Sequence, residues 1–373
     1  VKQALAKLRR QRGVAYAVPN YVAHADSAPS PWLPDDSGKA GVARGWERLQ
    51  WNFLPTAGVN APQAWANLRA DGHPGGRGVV VAVLDTGVAY RNWGRFHKSP
   101  DFNDTKFVSP YDFVAHNRYP LDREGHGTFV AGTIAESTNN RIGLTGLAYG
   151  ASLMPVRILA ADGTGDAATI ARGIRYAASH GAQVINLSIE FTPDVTARDI
   201  PDVLSAIRFA LSRRVTVVAA AGNEEIQQIS YPARAPGVIA VGATTKDRCL
   251  SNYSNTGPQL ALVAPGGGDD SGLIADPNCH PNRRLPPIYQ MTFFSSAHPA
   301  RFGFPGGIYG TSMSTPHVAA TAAMVIASGV LGRHPSPAQI TTRLEQTAQP
   351  LGGARPNENY GWGLLNAGAA TAS

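Results

Sequence analysis

Three short stretches carry side chains that could do chemistry together. "VVVAVLD" (79–85) ends on Asp85 and runs into the turn Thr86-Gly87. "DREGHGTFVAG" (122–132) places His126 at the start of an apolar, helix-like run. "GTSMSTPHVAA" (310–320) puts Ser312 ahead of another. Asp, His and Ser are the set needed for nucleophilic acyl transfer. A serine hydroxyl attacks poorly until an imidazole takes its proton, and a carboxylate fixes the imidazole tautomer and stabilises the imidazolium. Taken singly, each residue has an ordinary structural reading. Asp85 suits a turn, His126 a loop, and Ser312, Ser314 and Thr315 a helix cap. The weight lies in their joint occurrence at the ends of regular elements.

The surrounding pattern supplies those ends. Strands are expected over 78–85, 152–159, 182–189, 215–223 and 238–245. Helices are expected over 126–137, 166–181, 200–214, 314–330 and 336–348. The last long helix is expected to begin near Ser314, just after Ser312. Continuous apolar strands alternating with helices imply an α/β fold, a mostly parallel sheet with helices on both faces in three αβα layers. In such sheets the carboxyl edge forms the crevice where ligands bind. The stretch 266–309, rich in Gly and Pro, is a long connection without an obvious element, a kind of loop that usually has a function or an extra constraint.

Composition narrows the classes. The chain has 373 residues, 43% hydrophobic, enough for a sizeable core, and no apolar run long enough to span a bilayer. The net charge of +7 is local. Residues 1–25 hold five basic residues and no acid; without them, 28 basic residues face 26 acids, a net +2. Neither a nucleic-acid surface nor a membrane surface is supported. Two cysteines, Cys249 and Cys279, leave open a bridge in an oxidising compartment or two buried thiols. The chain opens at Val1 inside a helix-like pattern, which reads as a truncated precursor. A short helix, a stop at Gly13 and a strand over 14–23 follow. Residues 26–48, with Pro29, Pro31 and Pro34, read as a linker, and residues 49–373 as the main domain.

"VLDTGV", "GHGTFVAGTIA" and "GTSMSTPHVAA", in the order Asp, His, Ser, resemble the three catalytic motifs of the subtilisin-like serine proteases. The similarity runs from about Gln50 to Ala367 and includes "NYGWGLLNA". It implies Asp85, His126 and Ser312 as the triad and Ser312, not Ser314, as the nucleophile. Asn223 in "VVAAAGNE" matches the family's oxyanion-hole asparagine, with the Ser312 N–H as second donor. "GVAYAVPNYVAHA" (13–25) is similar to the end of the inhibitory propeptide, which lies along the substrate cleft as an added strand.

"ESTNNRIGLTG" (136–146) resembles the family's calcium loop with one extra residue. The match implies Ca²⁺ held by the Asn140 side chain, by the carbonyls of Thr138, Ile142 and Leu144, and by Asp101 and Gln50. The segment after "INLS" departs from the family pattern. Ser188, Ile189 and Glu190 stand where the substrate backbone pairs, and Glu190 replaces a small residue. With Glu224 beside Asn223, this implies an acidic S1 pocket that accepts basic P1 residues. The family context also implies secretion and a Cys249–Cys279 disulfide.

The function implied is an extracellular, monomeric endopeptidase whose partners are protein or peptide substrates and its own propeptide. Two alternatives share the fold: a peptide ligase or cyclase using the same acyl-enzyme, and an inactive binding protein.

Overall fold

The computed structural model describes residues 2–18, 29–281 and 283–373. At its centre lie β1 (Val80–Asp85), β2 (Lys106–Phe107), β3 (Tyr111–Asp112), β4 (Ser152–Arg157), β5 (Val184–Leu187), β6 (Thr216–Ala220), β7 (Ile239–Thr244) and β8 (Leu262–Pro265). They form one sheet in the order β2-β4-β1-β5-β6-β7-β8, with β3 also pairing β4. Every pairing within it is parallel. The α/β class and parallel sheet expected from the alternating elements are what the structure has.

Helices cover both faces. In chain order they are α1 (Lys2–Leu8), α2 (Ala61–Ala70), α3 (His126–Ala135), α4 (Ala167–Ser179), α5 (Pro201–Ser212), α6 (Thr311–Ser328), α7 (Pro337–Thr347) and α8 (Ala367–Ala370). β1 shows why its sequence is unbroken apolar. Val81 and Val83 point into the core shared with α2, α3 and α6. Ala82 and Leu84 point into the core shared with α4 and α5. A strand buried on both faces has no polar side to alternate with. α6 is apolar around most of its circumference because it lies between the sheet and α2 and α3. Each aliphatic side chain buried there, such as Val318 or Val325, contributes roughly 1.5–3 kcal/mol.

The topology also fixes where a site can form. From β1 the chain moves to β4 on one side, then returns to β5 on the other. The strand order reverses at β1, and its carboxyl end carries Asp85. Such a reversal opens a crevice beyond the strand ends.

Three expectations need correction. Helix α6 begins at Thr311, so Ser312 lies inside its first turn and not ahead of it. Its entry is held by a distant residue: the Thr311 N–H donates to Asn223 Oδ1 at 2.8 Å, a cap that local sequence cannot reveal. Residues 29–48 are no loose linker. Trp46 is fully buried and donates to the Pro34 carbonyl, Trp32 packs edge-on against Trp65, and the Asp36 carboxylate accepts from the Asn139 and Asn140 N–H groups. Residues 14–18 form no strand, and the rest of that expected strand lies outside the described residues.

The 266–309 connection is structured. It carries an antiparallel pair, β9 (Thr292–Phe293) with β10 (Phe302–Gly303). Asp270 accepts from Thr245 Oγ1 and from the His280 N–H, and Tyr360 hydrogen-bonds Asp276. Cys249 and Cys279 are bridged across 30 residues with their Cα atoms 4.8 Å apart. Unfolded, unreduced protein should therefore show no thiol by Ellman titration. Replacing both cysteines with serine should cost about 3–4 kcal/mol by loop entropy, read as an earlier denaturation midpoint. Two titratable thiols would contradict the bridge.

Candidate active site

The site is built from a strand end, two helix starts and one loop. Asp85 ends β1 and is fully buried. Its Oδ1 lies 2.8 Å from His126 Nδ1 and also accepts the Thr86 N–H at 2.7 Å. His126 opens α3, and its neighbour must be glycine. A Cβ on Gly127 would come within 2.1 Å of the Gly87 carbonyl, so only glycine lets the helix approach the strand this closely. The loop before His126 is organised by Asp122. This buried carboxylate accepts from Thr86 Oγ1, from Thr128 Oγ1, and from the backbone N–H groups of Glu124, Gly125 and Thr128. From the far side, Thr292 Oγ1 donates to the Gly125 carbonyl, so the long insertion also supports His126.

Burial disfavours the charged imidazole of His126, but the charge and hydrogen bond of Asp85 outweigh it. Glu124 and Asp122 add to the effect, and the pKa is pushed up to about 9. The other histidine nearby, His317 in α6, behaves oppositely. It is enclosed in the core against Phe53, and burial lowers its pKa to about 4. It is a neutral packing residue.

Ser312 owes its setting to Pro316, four residues on. Proline has no N–H, so the Ser312 carbonyl lacks its helical partner. Ser188, just past β5, fills the gap: its Oγ donates to that carbonyl at 2.8 Å. In return Ser312 Oγ donates to the Ser188 carbonyl at 3.1 Å. Ser314, by contrast, is fully buried and donates to the Ala264 carbonyl on β8. Of the two hydroxyls, only that of Ser312 lines the cleft. The cleft is about 500 Å³ and is also walled by Thr86, His126, Ser188, Ile189 and Glu190.

Asn223 completes the group. Its Oδ1 accepts from the N–H and the Oγ1 of Thr311, at 2.8 and 3.1 Å, which fixes the orientation of the side-chain amide. That amide donates to Glu190 Oε1 at 2.8 Å, while the Asn223 N–H donates to Glu190 Oε2 at 3.1 Å. Glu224 Oε2 accepts from the same N–H and from Asn255 Nδ2. Burial, then the like charge of Glu224, raises the Glu190 pKa to about 7 against the lowering bonds from Asn223. Both acids thus converge on Asn223.

The residues expected to hold calcium lie around one loop. Asp101 accepts from Asn140 Nδ2 at 2.9 Å and from the Leu144 N–H at 2.8 Å. Asn140 Oδ1 accepts from the Ile142 N–H, and Gln50 Oε1 from Thr145. The Thr138 hydroxyl accepts from the Gly146 N–H. Among the described residues, no set of three His, Cys, Asp or Glu side chains forms a metal cluster. The fit rests on charge: Glu136, wholly buried beneath the loop, has an Oε1 with no partner. Burial, with Asp101 and Asp36 nearby, raises its pKa. Clustered hard oxygen donors beside a buried carboxylate oxygen that lacks a partner suit a divalent cation of the calcium type.

Several supporting residues carry no reactive signature in the sequence. Asn255 holds the Asn223 loop by accepting from the Glu224 and Ile226 N–H groups, and Thr311 orients the amide. Asp122, four residues before His126, was the most readable of them, as a short acid preceding a glycine-flanked helix start.

With this geometry in view, the comparisons are decisive for class. The profile of the Subtilase family matches residues 76–363. Subtilisin BL of Lederbergia lenta is 38% identical over 299 residues, covering 79% of this chain and 91% of that protein. Subtilisin E of Bacillus subtilis (strain 168) is 32% identical over 380 residues, covering 99% and 78%. Among solved structures, one titled as proteases from Pseudoalteromonas arctica PAMC 21717 superposes with a TM-score of 0.70 at 28% identity, covering 92% of this chain and 99% of that one. The chain belongs to the Subtilase family. It is a serine-type endopeptidase acting on proteins.

The Asp85–His126 pair generates a pH prediction. Only a neutral ring can accept a proton, so kcat/KM should rise with pH through the His126 ionisation. Because Asp85 raises that ionisation, the limb should lie above the ordinary imidazole value of about 6.5. Asp85→Asn should shift the limb to lower pH and cut kcat by roughly 10⁴-fold. An unshifted limb in that variant would separate His126 from the rate.

Proposed function

We propose that this protein is an extracellular, monomeric endopeptidase that cleaves peptide bonds through an acyl-enzyme on Ser312. The observation that carries the reading is the 2.8 Å contact of His126 with Asp85 in the cleft that also holds the Ser312 hydroxyl. In this reading His126 takes the Ser312 proton as the hydroxyl attacks the scissile carbonyl. Asp85 keeps Nδ1 protonated, leaving the other ring nitrogen to act as base. Ser312 Oγ must first leave the Ser188 carbonyl. Asn223 Nδ2 and the Ser312 N–H, free of a helical partner in the first turn, stabilise the oxyanion. His126 then returns the proton to the leaving amine, and water releases the acyl group.

Ser188, Ile189 and Glu190 form the wall along which substrate lies, and the acids Glu190 and Glu224 favour substrates with Lys or Arg at P1. Residues 1–25 are read as the end of a propeptide that inhibits the enzyme before maturation. Gln50, Asp101, Thr138, Asn140, Ile142 and Leu144, with Glu136 beneath them, would hold a structural Ca²⁺, which supplies stability and no catalytic step.

Two experiments test this reading. A fluorophosphonate should label Ser312, and Ser312→Ala should fold yet lose nearly all casein hydrolysis, while Ser314→Ala stays active. A label on Ser314 would overturn the assignment. Mass spectrometry of the products should show free carboxyl termini; ligated peptides would favour acyl transfer to amines. For the metal, chelation should lower the melting temperature more than the initial rate, since metal bound only to the folded state stabilises by mass action. An unchanged melting temperature, with no calcium by elemental analysis, would remove the site.

A further inference from the structure

We propose that Glu190 is an electrostatic latch on the oxyanion-stabilising amide of Asn223, and that a cationic P1 side chain releases it. This rests on the protease reading above and deepens it, because it makes P1 charge act on turnover as well as on binding.

Glu190 grips Asn223 at two points. Oε1 accepts a hydrogen bond from Nδ2 at 2.8 Å, and Oε2 accepts one from the backbone N–H at 3.1 Å. The amide cannot turn away, because Thr311 holds its Oδ1 from two donors. Nor can a side chain intervene at Gly222, where a Cβ would lie 2.7 Å from Glu190 Oε2. Glu224 brings a second carboxylate to the same N–H. Among the described residues, neither acid forms an ion pair with a basic side chain.

The consequence follows from where charge develops. A substrate carbonyl is neutral on binding and becomes an oxyanion only in the transition state. An ionised Glu190 one amide away barely affects the first and repels the second. A partly desolvated cleft strengthens that repulsion. Interactions that differ between ground and transition states appear in kcat. A P1 ammonium or guanidinium pairs with Glu190 and cancels the charge before the oxyanion forms. A neutral P1 of equal length leaves it in place, so the substrate binds but turns over slowly. Glu190 is thus a specificity-determining residue that reads P1 through the oxyanion hole.

The test uses the intact protein and two peptides that differ only in P1, lysine or norleucine, which has the same four-carbon chain without the ammonium, with kcat and KM measured separately. Wild type should show kcat at least about tenfold higher for lysine, the scale expected for like charges an amide apart at surface dielectric. Glu190→Gln should bring the two within about twofold by raising the norleucine kcat. Equal kcat values in wild type, a ratio unchanged in Glu190→Gln, or a difference confined to KM would overturn the latch. If the variant fails to fold, wild type is assayed on a P1-glycine peptide with added n-butylammonium. The cation should raise kcat several-fold and neutral n-pentanol should not; equal response to both overturns the proposal. Fluorophosphonate labelling separates the two levels. Ser312 labelled with no P1 effect removes only the latch, whereas an unlabelled, inactive wild type removes the protease reading and the latch with it.

Discussion

The active cleft depends on a missing hydrogen. Pro316 cannot donate to the Ser312 carbonyl, so α6 carries an unpaired acceptor in its first turn. Ser188 supplies the donor, and in doing so fastens the end of β5 to the start of α6. The reciprocal bond parks the Ser312 hydroxyl on the Ser188 carbonyl. One backbone deficiency therefore sets the spacing between the end of β5 and the Ser312 hydroxyl. It costs the helix one internal bond, which the exchange replaces. Thr311 does similar work next door, joining α6 to Asn223 through both its N–H and its hydroxyl. The helix start is thus anchored on both sides before any substrate arrives.

The histidine side follows a different rule, close approach rather than exchange. Gly127 removes the atom that would keep α3 from β1. Asp122 collects several donors that would otherwise be orphaned at a helix entry. The two halves of the site are held by separate networks, one centred on Asp122 and one on Asn223 and Thr311. Among the described residues no hydrogen bond joins the two networks, so Glu190 belongs to one and the Asp85–His126 pair to the other.

Much of this was legible in the sequence because it is periodic or chemically distinctive. Alternating apolar strands and helices announce a parallel sheet, and reactive side chains at their ends announce a crevice. Three kinds of feature were not legible. The start of α6 was misplaced because its cap comes from Asn223, 88 residues away. Residues 29–48 read as a linker because prolines and small polar residues look the same whether or not Trp32 and Trp46 find partners. The direction of Glu190 was beyond reach, since a carboxylate beside a pocket can face the substrate or an amide, and only the register of β5 against the Asn223 loop decides. Asn255 and Thr311 were overlooked because their residue types signal turns and caps almost everywhere else.

The contacts around the body join distant parts of the chain. Gln50 meets Gln290 across 240 residues, Asn52 meets His317 across 265, and Asn67 meets Gly368 across 301. Closing such loops costs entropy that local structure cannot offset, and topologies dominated by them form slowly. Part of the first hundred residues, Gln50, Asn52 and Asn67 among them, therefore gains its full set of partners only after the last hundred have been made. A chain released before α6 would lack not just Ser312 but the surface on which its own beginning is seated. Activity is therefore expected to appear in one step, once the segment carrying α6 has been added, and not gradually as the chain lengthens.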